Sequence, residues 1–397
     1  WIVRGEKQYL YDHTGRRYLD TVNNVAHVGH EHPKITEVAQ RQIGLLNTNT
    51  RYVNQNIIDY AKHLLSKCPD NFSRVYFVNS GSEANDLAIR MLRTITSANH
   101  IIAFEHAYHG HTQKTIDVSH YKFANKGGDG KGRNTSLIPV PDLYRNTFNL
   151  KYYTQKLNLK LESLKSTGAH LSGFIGESIL SCGGQLMLPS DYVQYIYSVI
   201  HKAGGYCIAD EVQHGFARIG SHFWAFEMQD VVPDIITCGK PIGNGHPLAA
   251  VITTKAIADK FANGMEYFNT FGGNPVSCAI GQSVISVIDS ERLMDNALDV
   301  GAYMLKSLSS LSEKHTIIGD VRGKGLFIGI EFVKDHTTLE PASEEASYIV
   351  NRMRLRGILL STDGPLYNVI KIKPPMCVTR DDVDFMLEEL DRVLGEI

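Results

Sequence analysis

The sequence has no Cys-x-x-Cys pair, no apolar run of membrane length, no lysine-rich tract and no internal repeat. Each absence removes a class of function. The six cysteines (Cys68, Cys182, Cys207, Cys238, Cys278 and Cys377) are scattered, several of them inside apolar runs. They are expected to be reduced core thiols of an intracellular protein, not a disulfide framework. No stretch approaches the ~18 to 20 uncharged apolar residues of a membrane span, so no membrane partner is expected. Forty basic against forty-two acidic side chains leave a formal charge of −2, which argues against a nucleic-acid partner. Two histidine groups (His27, His30, His32 and His106, His109, His111) lack the i, i+4 spacing with an adjacent Glu that marks a zinc helix. No metal is expected.

What is present is length and alternation. A chain of 397 residues can bury a large core, and divides on its pattern into a large domain over residues 34–289 and a smaller α+β domain made of 1–33 and 290–397. The first segment alternates around the turn Asp12-His-Thr-Gly15, as a hairpin does. A helix is expected from Pro33, and 119–136, polar and Gly-rich, as a surface loop. Apolar runs at Val75–Val78, Ile101–Phe104, Phe174–Gly176, Tyr206–Ala209 and Ile235–Thr237 alternate with helical segments, and most run into polar residues. Such alternation predicts an α/β fold with a mainly parallel sheet, helices on both faces, and ligand-facing side chains at the carboxyl ends of the strands. Beyond Ser290 the expected elements include a paired Ile358–Leu360 and Val369–Ile372.

The stretch from Gly205 to Gly245 organises the rest. It delivers an acid, Asp210, and an amine, Lys240, to the same sheet edge. An isolated pair of this kind is most often a structural ion pair. Here Gly239, Gly243 and Gly245 flank the lysine and leave room for a flat ligand. The chemistry that needs this set is pyridoxal phosphate catalysis, with a Schiff-base lysine and an Asp against the pyridinium nitrogen. Ser80-Gly81-Ser82 opens a helix after a strand, which suits either a phosphate seat or an ordinary capped helix. Tyr108 lies at the same edge, where it would stack on a ring or pack.

Ser-Gly-Ser-Glu at 80 to 83, Tyr-His-Gly at 108 to 110, Asp-Glu-Val-Gln at 210 to 213, Gly-Lys at 239 to 240 and Thr-Phe-Gly-Gly-Asn-Pro at 270 to 275 together resemble the class III pyridoxal-phosphate aminotransferases of fold type I, over essentially the whole chain. The resemblance implies a large domain with a mainly parallel seven-stranded sheet. It assigns Lys240 to the Schiff base, Asp210 to the ring nitrogen and Tyr108 to ring stacking. Ser80, Gly81 and Ser82 fall at the phosphate, Gln213 at the ring hydroxyl, and Glu177 among the cofactor residues. Thr270 would serve the phosphate site of a neighbouring subunit. That implies a homodimer, or a dimer of dimers, with active sites at the interface. Location is intracellular, with the mitochondrion favoured by the resemblance and the cytoplasm compatible with it.

One departure bears on the substrate. Members acting on α-carboxylates commonly carry an Arg before the Pro-Pro pair; this chain has Ile370-Lys371-Ile372-Lys373-Pro374-Pro375. With Asp363-Gly-Pro and Asn23-Asn-Val-Ala-His-Val-Gly-His30, this resembles the phospho-lyase branch, which eliminates phosphate and ammonia from ethanolamine phosphate or 5-phosphohydroxy-L-lysine. Arg51, Arg218 and Lys371 are the candidate cations for the substrate phosphate. The rivals are an ω-aminotransferase acting on a terminal amine, a silent scaffold of the same fold and, more distantly, a metal hydrolase built on the histidines.

Overall fold

In a computed structural model describing all 397 residues, seven strands lie side by side in the order Phe72–Val78, Ala249–Thr254, Ile235–Cys238, Tyr206–Asp210, Leu171–Glu177, His100–Phe104 and Thr135–Ile138. Six run the same way, and Ala249–Thr254 alone is antiparallel to its neighbours. The sheet is therefore mainly parallel, as expected. Ala249–Thr254 and Thr135–Ile138 add to the strands anticipated from sequence. The stretch 119–136 is largely irregular but contains the helical turn His120–Phe123, and its last residues open an edge strand.

Both sheet faces are covered because the strands are apolar on both sides. Ile101, Ala103, Ile175, Ile208 and Ile235 point to one face and join Leu87, Ala88, Met91 and Leu92 of the helix Gly81–Thr96. The residues between them (Ile102, Phe104, Phe174, Cys207, Ala209 and Ile236) point to the other, against Tyr192, Ile196 and Ile200 of Ser190–Lys202. The period of two sorts neighbours into separate cores, and each fully buried Ile or Phe contributes about 1.5–3 kcal/mol.

The N-terminal strands Ile2–Glu6, Tyr9–Asp12 and Arg17–Asp20 form an antiparallel meander whose edge takes Ile358–Leu359 in parallel. A further sheet holds Ile318–Lys324, Phe327–Asp335, Val369–Ile372 and Ser361–Asp363. The expected pairing of Ile358–Leu360 with Val369–Ile372 is thus corrected. Val369–Ile372 pairs with Ser361–Asp363, because these two flank a short connection that turns at Gly364 (φ 81°), while Ile358 and Leu359 continue away to Leu19 and Asp20.

Candidate active site

Register brings the polar strand ends together. Asp210 is level with Glu177 on one side and with Thr237 on the other, so three polar residues meet at one edge. Lys240 follows Thr237 by a short turn and takes a left-handed backbone (φ 37°), a conformation that costs a non-Gly residue about 1–3 kcal/mol and is found where surrounding structure imposes it. A Cβ on Gly239 would sit 3.2 Å from the Gly81 backbone, so the lysine turn lies directly on the start of the helix Gly81–Thr96. Between them is a cavity of about 240 Å³ lined by Gly81, Ser82, Tyr108, Gly110, Glu177, Asp210, Val212, Gln213 and Lys240, with Asn85 and His109 at its floor.

The charges in this cavity are set by burial and by its hydrogen bonds. Burial alone would push the Asp210 carboxyl up, but His109 Nδ1 at 2.8 Å, the Val212 N–H at 3.1 Å and Asn85 Nδ2 at 2.7 Å all donate to it. The net effect holds Asp210 below the usual carboxylate range. Asn85 is fixed in turn by Thr237 Oγ1, 2.6 Å from its side-chain oxygen, and donates to the His109 carbonyl at 2.8 Å. Glu177 goes the other way: burial and the nearby Asp210 raise it, although Ser181 donates to it. Lys240 is lowered by burial, with Asp210 and Glu177 acting against that. One edge therefore holds an ionised acid, an acid biased towards its proton and an amine biased towards its free base.

Opposite lies an anion seat. Ser80 caps the helix, its Oγ accepting the Glu83 N–H at 3.2 Å. Ser82 Oγ accepts the His111 N–H at 3.0 Å and keeps its own proton free to donate. A Cβ on Gly81 would meet Val212 Cγ1 at 2.7 Å, and one on Gly110 would meet Ser82 Oγ at 2.7 Å, so both positions need glycine to bring backbone to the cavity wall. Backbone N–H groups at a helix start favour a phosphate. A buried carboxylate held low, a buried amine whose charge is disfavoured and an anion seat around one flat space would fit pyridoxal phosphate, with Asp210 at the ring nitrogen, Lys240 at the aldehyde carbon and Gly81 with Ser82 at the phosphate.

The other candidates lie apart. Ser80 acts as the cap beside the cavity. Thr270 is exposed, with Arg51 nearby, its guanidinium 5.0 Å from the Phe268 ring. Lys371 is paired with Asp363 at 3.0 Å. Arg218 does not line the cavity: it is fully buried and bonded to the carbonyls of Leu326 (3.2 Å) and Pro374 (2.8 Å) and to His27 Nδ1 (3.0 Å), which makes it a structural cation and corrects its place among the substrate candidates. The histidines part company, His30 to Asp20, His32 to Glu291 and His109 to Asp210. His109 and Asn85 are the additions. His109 stands inside the Tyr-His-Gly motif, and Asn85 lies one helical turn past Ser82, on the same face.

The model of the family "Aminotransferase class-III" matches residues 1–394. An "alanine--glyoxylate aminotransferase 2-like" protein of Drosophila melanogaster is 47% identical over 97% of this chain and 80% of its own length. "Ethanolamine-phosphate phospho-lyase homolog 1" of Caenorhabditis elegans is 40% identical over 99% of this chain and 88% of its own. A solved Arthrobacter phospholyase in complex with phosphoethanolamine superposes with a TM-score of 0.96 at 36% identity, covering all of this chain and 94% of that one. Motif, geometry and likeness converge: the chain belongs to the class III aminotransferase family of pyridoxal-phosphate-dependent enzymes.

Proposed function

We propose that the protein is a phospho-lyase that converts a phosphorylated primary amine and water into an aldehyde, ammonia and inorganic phosphate. Ethanolamine phosphate would give acetaldehyde; 5-phosphohydroxy-L-lysine would give 2-aminoadipate semialdehyde. The observation that carries the reading is the likeness, over the whole chain, to a phospholyase solved with phosphoethanolamine, joined to a lysine at 371 where an α-carboxylate enzyme would have the arginine fork.

Bound pyridoxal phosphate supplies an electron sink for the carbon that bears the substrate amine. Asp210, kept ionised by His109, Asn85 and the Val212 N–H, stabilises the protonated ring nitrogen. Lys240 Nζ, whose burial disfavours its charged form, removes the proton from the amine-bearing carbon. A phosphate ester on the next carbon then leaves with the electron pair, in competition with the reprotonation that transamination requires. Lys371 and Arg51 remain the cations assigned to that phosphate, Arg51 from the neighbouring subunit.

A homodimer belongs to this reading. Tyr52, Val53, Met265, Phe268 and Phe271 are exposed, Val53 to 91%, and Thr50 Oγ1 donates to the Asn269 carbonyl at 2.9 Å, so the two segments form one face. Apolar side chains clustered like this favour a partner, and a second copy would bring Thr270 and Arg51 to the opposite cavity. The division at 34–289 and a mitochondrial or cytoplasmic address are proposed with it.

The test is phosphate release by the loaded enzyme from each amine separately, with no oxoacid present. Release from one supports the lyase and selects the substrate. The second reading, an ω-aminotransferase, is favoured by the name of the Drosophila relative. Amine transfer appearing only on addition of 2-oxoglutarate or pyruvate, without phosphate, would establish it instead.

A further inference from the structure

Lys373 has no part in the chemistry above, yet it is only 2% exposed and pairs with no carboxylate. Its backbone N–H donates to the Thr21 carbonyl at 2.7 Å, and its Nζ lies 4.8 Å from the centre of the Phe327 ring. That nitrogen donates to Gln213 Oε1 at 3.1 Å. Gln213 Nε2 donates to Ser181 Oγ at 2.6 Å, and the Ser181 hydroxyl donates to Glu177 Oε1. The amide orientation is set at Oε1, which faces the Lys373 nitrogen. Asn24 Nδ2, 3.4 Å from Gln213 Oε1, adds a second donor on the same side. Reversing the amide would set Nε2 against two donors. One N–H of Nε2 is used on Ser181; the other is left for the cavity that Gln213 lines.

We propose that Lys373 is a positioning residue that locks the amide of Gln213 so that an N–H, and not the carbonyl, faces the cofactor ring, within the hydrogen-bonded chain Lys373, Gln213, Ser181, Glu177. The chain crosses from the C-terminal sheet to the seven-stranded sheet, so the seating of one on the other is felt at the cofactor. The proposal rests on pyridoxal phosphate occupying the cavity. An N–H on the ring's phenolic oxygen stabilises its anion, and losing that bond makes the protein–cofactor adduct hold its proton to higher pH.

Other titratable groups face Lys373: Lys371 from its own strand segment, Asp363 from the paired strand, the Cys182 thiol from the turn after Leu180, and Lys240 across the cavity. A change felt only through space must therefore be separated from one passed through Gln213. The test is a double-mutant cycle on the pH midpoint of the visible absorption of the loaded protein. Lys373→Met and Gln213→Ala should each raise the midpoint by about one unit, the scale of one lost charge-assisted hydrogen bond. The double variant should move no further than Gln213→Ala alone. Additive shifts would mean that Lys373 acts through space, and would overturn the chain. If Lys373→Met does not fold, Ser181→Ala at the next link gives the same cycle, with coupling to Gln213 expected and additivity fatal. A wild-type protein that develops no visible band would instead remove the cofactor from the cavity.

Discussion

A carboxylate remains charged in a dry site only when donors surround it, and Asp210 has His109, Asn85 and the Val212 N–H. Replacing His109 by Ala removes the first and lets burial raise the Asp210 carboxyl. The dissociation constant for pyridoxal phosphate should rise about 10- to 100-fold, matching the ~1.5–3 kcal/mol of a hydrogen bond to a charged group, as measured by fluorescence titration. Lys240→Ala, which removes the proposed base, should lower turnover by about 10²- to 10⁴-fold at saturating cofactor, read as phosphate release. Arg218 differs from both. Its burial pushes the guanidinium down to about 9, yet it holds the carbonyls of Leu326 and Pro374. Arg218→Met leaves those carbonyls unpaired and should cost about 1–3 kcal/mol in urea unfolding. An unchanged stability with a raised KM would restore Arg218 to the substrate.

At the scale of elements, the site exists because a helix start, two strand ends and a short turn meet with no spare space. Gly81 is the joint. A methyl there would enter Val212 Cγ1 at 2.7 Å, and Val212 is anchored by the strand Tyr206–Asp210 through its N–H on Asp210. Gly81→Ala should push the helix start out of the cavity and weaken both pyridoxal phosphate and inorganic phosphate, with little change in the melting temperature of the apo-protein. Calorimetric titration of both ligands checks this; equal loss of stability and binding would mean that the clash spreads into the fold. The helix itself tolerates such adjustment, since Leu87, Ala88, Met91 and Leu92 anchor it further along.

For the whole molecule, two properties decide behaviour in solution. The exposed face around Val53 and Phe271 is proposed to be covered by a second copy, so Val53→Asp with Phe271→Asp should turn a dimer into a monomer in sedimentation and lose activity by uncoupling Thr270 and Arg51 from the opposite site. The other property is pH. Burial and the neighbouring Lys371 bring Lys373 down to about 7 from 10.5. Between those values the unfolded chain binds a proton that the folded one does not, so this group makes stability rise with pH, and contributes a constant amount below about 7. Above 9 the buried thiols, which burial raises, oppose it; Cys68 and Cys278 go up to about 12. The difference between wild type and Lys373→Met isolates the lysine and should grow across pH 7 to 9.

The sequence by itself determined the strand and helix alternation, the mainly parallel sheet and the two groups that meet at its edge. Those features rest on local patterns: apolar runs too uniform for a half-exposed strand, glycines around Lys240, and a Ser-Gly-Ser helix start. It also carried the family, since five short motifs in order constrain one another. Tertiary structure alone decided the rest. The reversed direction of Ala249–Thr254 depends on which neighbours it finds, not on its own residues. Arg218 and Lys371 look alike as exposed-type cations in the sequence, yet one is folded under Leu326 and Pro374 and the other pairs with Asp363. His109 is separated from Asp210 by 101 positions and Lys373 from Gln213 by 160. Hydrogen bonds that long in sequence are set by the packing of whole elements, and no local spacing can announce them.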